Sequence, residues 1–359
     1  MNSGMTKKER VLAALYKKET DRIPFSPLCD DYFASSLEKQ NHPYDLLRAL
    51  RYIGADIIER HSPCCEVRYG GGITVESREV GGGKRETHFI TKYGEIYDRF
   101  YFQNGAMYTE KHLLSTPEDV KVMTHIARNT QYIPRFELFE ERKKAIGDDG
   151  IPTPTAPCSP LLETLQVLCG LENTTYLLLD EEDAMREMFA ALHERNKNYY
   201  RLMCDLDTPV VFAYEDTSTT IMSRDWFQSL AAPCLNEYAK ILHGAGKLYI
   251  THMCGKLSGF SEDIAKILSD GIDSVCPPTT GDMECWDAKS AFGGKVIIGG
   301  IEPSSLVMKS EEAILSHVSE ILERMRGGRG FILSTGDAVP HGTSVELLKK
   351  IADLVAREG

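Results

Sequence analysis

The chain has 359 residues, 42% of them hydrophobic and 26% charged, an ordinary balance for a globular protein with room for a substantial core. Against 53 Asp and Glu stand 41 Lys and Arg, and the formal charge of −12 argues against nucleic acid or an anionic membrane as a partner. The start "MNSGMTKKERVLAAL" does not read as a signal peptide and no apolar run is long enough to span a bilayer, so the ten cysteines are expected as reduced thiols of a cytoplasmic protein.

Taken in order, "TKKERVLAALYKKET" predicts a helix, with Val11, Leu12, Leu15 and Tyr16 at helical spacing. "RIPFSPL" follows as a first strand. "LLRALRYIGADIIERH" reads as a helix stopped at Gly54 and a second strand ending near Glu59. Residues 66–108 alternate apolar and polar positions between glycine clusters, which predicts an antiparallel meander. It reads as an insertion in a single domain covering 1–359, and the longer segment 66–150 serves either to shape a pocket or to form a homodimer contact. "GIPTPTAP" supplies a third strand. Thereafter helical patterns such as "DEEDAMREMFAALHERNKNYYRLM" and "DWFQSLAAPCLNEYAKILHGAG" alternate with the short apolar runs "TPVVFAYED", "KLYITHMC", "IDSVCPP", "KVIIGGIEP" and "GFILSTGD". This is the pattern of a parallel sheet covered by helices. No GxGxxG opens a helix after the first strand, which favours a closed (β/α)8 TIM barrel of the α/β class over a dinucleotide-binding sheet.

Barrel active sites lie at the C-terminal ends of the strands. Those ends carry Glu215 and Asp216, then His252 and Cys254, then Cys276, Glu302, and finally Asp337 with His341. Side chains two residues apart on an extended segment point to the same side, so His252 and Cys254 can converge on one ion while Met253 turns into the wall. Imidazole with thiolate suits Zn²⁺. The alternative is a strand-end histidine beside a buried cysteine. Cys276 and Glu215, on neighbouring strands, are candidates for the remaining ligands. Cys285, Cys64 and Cys65 read as packing. Asp216, Asp337 and His341 are candidate proton-transfer groups, with helix capping as the competing role of the aspartates.

The opening "TKKERVLAALYKKETDRIPF", the "YEDTSTT" strand end, "HMCGKL", "PPTTGDM", "IIGGIEP" and the closing "GFILSTGDAVPHGT" resemble the uroporphyrinogen decarboxylase superfamily in order along nearly the whole chain. The resemblance implies a (β/α)8 barrel. The decarboxylases of that superfamily work without a cofactor and carry an arginine-rich "RQAGRY" segment after the first strand. Here "SPLCDDYFASS" offers two aspartates and no arginine, which would repel a polyanionic substrate.

The chain is closer to the branch of zinc-dependent methyltransferases that work with corrinoid proteins. His252 and Cys254 match that branch's His-x-Cys pair. The later cysteine of its thiol-methylating members is absent, and Asp337 lies in that region. The resemblance thus implies a methyltransferase moving a methyl group between a small molecule and cobalamin carried by a separate protein, since no cobalamin motif is present on this chain. The alternatives are a metal-free decarboxylase or lyase using the mouth carboxylates, and a binding protein that has lost catalysis.

Overall fold

The computed structural model describes residues 4–103 and 106–359. Eight short parallel strands form a ring: β1 at residues 24–26, β2 at Ile57–Glu59, β3 at Gly150–Pro152 with Thr155–Ala156, β4 at Val210–Tyr214, β5 at Leu248–His252, β6 at Gly271–Val275, β7 at Val296–Ile301 and β8 at Phe331–Thr335. The ladder runs unbroken from β3 to β8. β8 pairs with β1 at Phe25, where Ser26 N–H donates to Leu333 O at 2.9 Å and Leu333 N–H to Pro24 O at 2.9 Å. On the other side of β1, Asp56 N–H donates to Phe25 O at 2.7 Å, and β2 pairs with β3. The ring is therefore closed: this is the (β/α)8 barrel expected from the alternation of strands and helices.

Two apolar layers explain why these runs are nearly continuous in hydrophobicity. Ile58, Ile151, Phe212, Ile250, Ile298 and Ile332 fill the interior, and the helix Lys7–Leu15 packs against them with Val11 and Leu15. That helix closes the N-terminal end of the barrel, and a reciprocal Thr6–Glu9 cap starts it. Tyr16, expected on its apolar stripe, is 41% exposed because it lies past the last turn. Outside the ring, Leu192, Leu242, Ile264, Ile321 and Leu348 lie in the larger core between strands and helices. Burial of each such side chain contributes roughly 1.5–3 kcal/mol. Since the opposite end is plugged, the mouth at the C-terminal ends is the face left for chemistry.

The antiparallel sheet of Thr74–Glu79, Lys84–Thr91, Gly94–Gln103 and Ala106–Lys111 departs between β2 and β3. Its start differs from the expected meander. Cys65–Tyr69 pairs instead with Thr130–Pro134, so the sheet begins after Gly70 to Gly72, two of which have positive φ. The predicted helix at 225–246 contains a wider π-helical turn at Phe227–Ala231, just before Pro233, which has no N–H to give the ladder. Among the described residues no helix is long and apolar enough to cross a membrane.

Candidate metal centre

His252 ends β5 and is 1% exposed at the barrel mouth. Register aligns it with Tyr214 of β4 on one side and Asp273 of β6 on the other. Its Nδ1 lies 2.8 Å from Asp273 Oδ2 and 2.9 Å from Ser274 Oγ. With Nδ1–H donating to the carboxylate, Nε2 turns toward the mouth with its lone pair free. Burial works against a charged ring, but the Asp273 hydrogen bond and the charges of Asp273, Asp216 and Asp337 outweigh it and leave the pKa raised.

Asp273 and Ser274 both reach His252 because β6 is irregular there. Its register shifts between Asp273 and Val275, and Ser274 takes φ of 77°, a conformation a non-glycine residue adopts at a cost of about 1–3 kcal/mol. Asp273 is in turn held by Arg60, which follows β2 and reaches across the barrel to place its guanidinium 2.7 Å from Asp273 Oδ1. Both side chains are buried. Burial raises the carboxyl's pKa, and the neighbouring Arg60 and His252 more than reverse it, so Asp273 stays ionised. The order Arg60, Asp273, His252 is a buried relay that fixes the ring. Tyr214 completes the setting by stacking on His252 with centroids 4.4 Å apart, and on His61 at 4.7 Å.

Three donors converge on the open side of His252. One ligand atom each from Asp216, His252 and Cys254 lies within 4.8 Å of the others. Asp216 Oδ1 stands 3.6 Å from His252 Nε2 and is buried without a hydrogen-bond partner among the described residues. Asp337 Oδ1 lies 3.9 Å from the same nitrogen, on a side chain 43% exposed. Burial and then the carboxylates of Asp216 and Asp337 push the Cys254 thiol far up. An imidazole, a thiol and a carboxylate with an orphaned buried oxygen fit a divalent cation of borderline softness, with zinc the best match to nitrogen and sulfur together.

The other expected residues stand elsewhere. Cys276 is buried against Gly336, its Sγ 3.9 Å from Gly336 O, and burial pushes its thiol up to about 12. A Cβ on Gly336 would come within 2.2 Å of that sulfur, so this glycine is required by close approach. His341 Nδ1 faces Ser35 Oγ at 2.9 Å. Glu302 accepts from Thr280 Oγ1 and Ser305 N and caps its own loop. Met253 is fully buried and Cys285 packs in the core.

Glu215 is turned away from the donors. Ser159 N–H donates to its Oε2 at 2.6 Å and the Ser159 hydroxyl to its Oε1 at 2.6 Å. Burial pushes its pKa up to about 7, although both hydrogen bonds oppose this. A raised value means stability is full below the unfolded pKa near 4.5 and declines until pH passes about 7, by up to about 3 kcal/mol. Glu215→Gln should flatten that decline in urea unfolding followed from about pH 5 to about pH 8. An unchanged slope would mean that another group causes it.

Sequence reasoning missed Arg60, Asp273, Ser274 and Tyr214. The available signal was Asp273 itself, a charge inside the apolar run "GIDSV" where a partner is obligatory.

Comparison with a solved methyltransferase agrees with this architecture. A methyltransferase from Methanosarcina mazei matches with a TM-score of 0.65 at 15% identity, covering 98% of this chain and 99% of that one. A B12-independent methionine synthase from Shewanella sp. W3-18-1 gives a TM-score of 0.44 at 10% identity, covering 93% and 96% respectively. No curated protein matches the chain. The family model for uroporphyrinogen decarboxylase (URO-D) matches residues 103–358, from the sheet preceding β3 to the last helix. The chain therefore belongs to the uroporphyrinogen decarboxylase family.

Proposed function

We propose that the protein is a zinc-dependent methyltransferase that moves a methyl group between a small molecule and the cobalamin of a separate corrinoid protein. The observation that carries this reading is the convergence of Asp216, His252 and Cys254 at the barrel mouth. His252, Cys254 and Asp216 would hold the metal. Zinc there would supply a Lewis acid, drawing charge from the heteroatom that gives up methyl or keeping an accepting thiol ionised.

The chain's own residues do the rest. Asp273 and Arg60 keep Nε2 of His252 aimed at the mouth. Tyr214 covers one face of that ring. Asp337, partly exposed beside the donors, is placed to exchange a proton between the reacting heteroatom and water. Cys276 and Glu215 are left to packing and to Ser159.

The acidic mouth disfavours the reaction in the family's name. Asp30, Asp216 and Asp337 lie near one another, and Arg60 is committed to Asp273. A polycarboxylate would meet repulsion there.

The test is spectroscopic. Zinc-loaded protein mixed with a corrinoid protein in the cob(I)alamin state and a panel of O-, N- and S-methyl donors should produce the methylcobalamin spectrum with at least one donor. The rate should collapse after chelation. Conversion at an undiminished rate without zinc, or none with any donor, would overturn the proposal.

A further inference from the structure

Beside the mouth lies a cavity of about 450 Å³, between the barrel and the paired strands Cys65–Tyr69 and Thr130–Pro134. Its volume falls within the ~300–1,000 Å³ of small-molecule pockets. Tyr69, Phe89, Leu113, Tyr132 and Leu168 give it an apolar, largely aromatic wall. Tyr69 and Phe89 meet edge to face at 5.5 Å, leaving ring surface available to a ligand.

Two further observations say what kind of ligand. Tyr214 lines this cavity and also stacks on His252, so one side chain borders both the cavity and the donor group. The charged groups in the wall, Arg195 and Glu163, are ion-paired with each other, and Arg195 donates further to Asn196 Oδ1 at 2.8 Å. Their charges cancel, and a charged ligand would enter this apolar space uncompensated.

We infer that the cavity binds the body of a neutral, largely apolar small molecule, with the Tyr214 ring at the edge it shares with the barrel mouth. The identification of that molecule as the methyl donor rests on the methyltransferase reading; the existence of the binding site does not. The geometry selects against both an anionic thiol and an ammonium donor. The Tyr214 ring then serves two ends, as a cover on the His252 ring and as the part of the cavity wall nearest the donors.

Calorimetric or ligand-observed NMR titration with three matched probes tests this: methoxybenzene, 4-methoxybenzoate and trimethylanilinium. Methoxybenzene should bind saturably, and the two charged probes at least ~10-fold more weakly. Val67→Trp should block the cavity from a strand position that is 47% exposed and tolerant of an aromatic, lowering methoxybenzene affinity at least ~10-fold without shifting the melting temperature. Phe89→Ala removes one ring of the wall and should weaken it roughly 3- to 10-fold, so the inference stays testable if the tryptophan variant does not fold. Absence of saturable binding, equal binding of a charged probe, or affinity unchanged in both variants would overturn it. Running the titrations with and without zinc, and with no corrinoid protein, separates the two proposals. Protein that binds methoxybenzene but never zinc keeps the pocket and loses the methyltransferase, and the converse result does the opposite.

Discussion

His252→Ala or Cys254→Ala is expected to reduce zinc from about one per chain to almost none, with methyl transfer falling by about 10³-fold or more. The size follows from the loss of a Lewis acid contributing several kcal/mol to the transition state, at tenfold per 1.4 kcal/mol. Each change leaves Asp216 with a single nitrogen or sulfur partner, too few donors to hold zinc through dialysis. The two variants differ in their side effects. His252 is buried between Asp273 and Tyr214, so its removal opens a gap and leaves the Asp273 carboxylate with Arg60 alone as its side-chain partner among the described residues. Cys254 is partly exposed beyond the strand end, and its change should alter stability by no more than about 1 kcal/mol. Metal analysis after dialysis, with a melting curve for each variant, gives both quantities. Zinc retained by a folded Cys254→Ala protein would remove the thiol from the donor set.

Asp273→Ala is expected to lower stability by about 3–5 kcal/mol, because it strands the Arg60 charge in the barrel interior. It should also weaken zinc binding about 10- to 100-fold by freeing the His252 ring. A merely structural aspartate would show the first effect without the second. The pair can be resolved by a double-mutant cycle in urea. Arg60→Met with Asp273→Ala removes both charges, and the double variant should be more stable than Asp273→Ala alone, with a coupling of about 1–3 kcal/mol. Zinc affinity should stay low in the double variant, since His252 still lacks its carboxylate. Full recovery of zinc binding there would show that Asp273 does not orient the ring.

What could be read along the chain was whatever depends on short spacing. The strand runs named themselves by continuous hydrophobicity, and His252 and Cys254 by standing two apart at a strand end. The relay behind them could not be read that way, because Arg60 and Asp273 are 213 residues apart and meet only when β2 and β6 face each other across a closed ring. The bend that aims Ser274 at His252 is a register shift, a property of the pairing of β6 with β7 and of neither strand alone. For Glu215 and Cys276 the strand-end rule gave position without direction. Glu215 is taken by Ser159, and Cys276 by its contact with Gly336. Asp216, expected as a proton carrier, stands with the donors, whereas its neighbour Glu215 does not. The first strand of the expected meander was misplaced for the same reason as the relay: its partner, Thr130–Pro134, lies beyond the whole excursion.

The most direct measurement is X-ray absorption at the zinc edge on the loaded, substrate-free protein. The site predicts one sulfur neighbour, from Cys254, with the remaining neighbours nitrogen from His252 and oxygen, Asp216 among them, and that sulfur should vanish in Cys254→Ala. Two sulfur neighbours would bring Cys276 or another thiol into the centre, and no sulfur at all would contradict the centre at the barrel mouth.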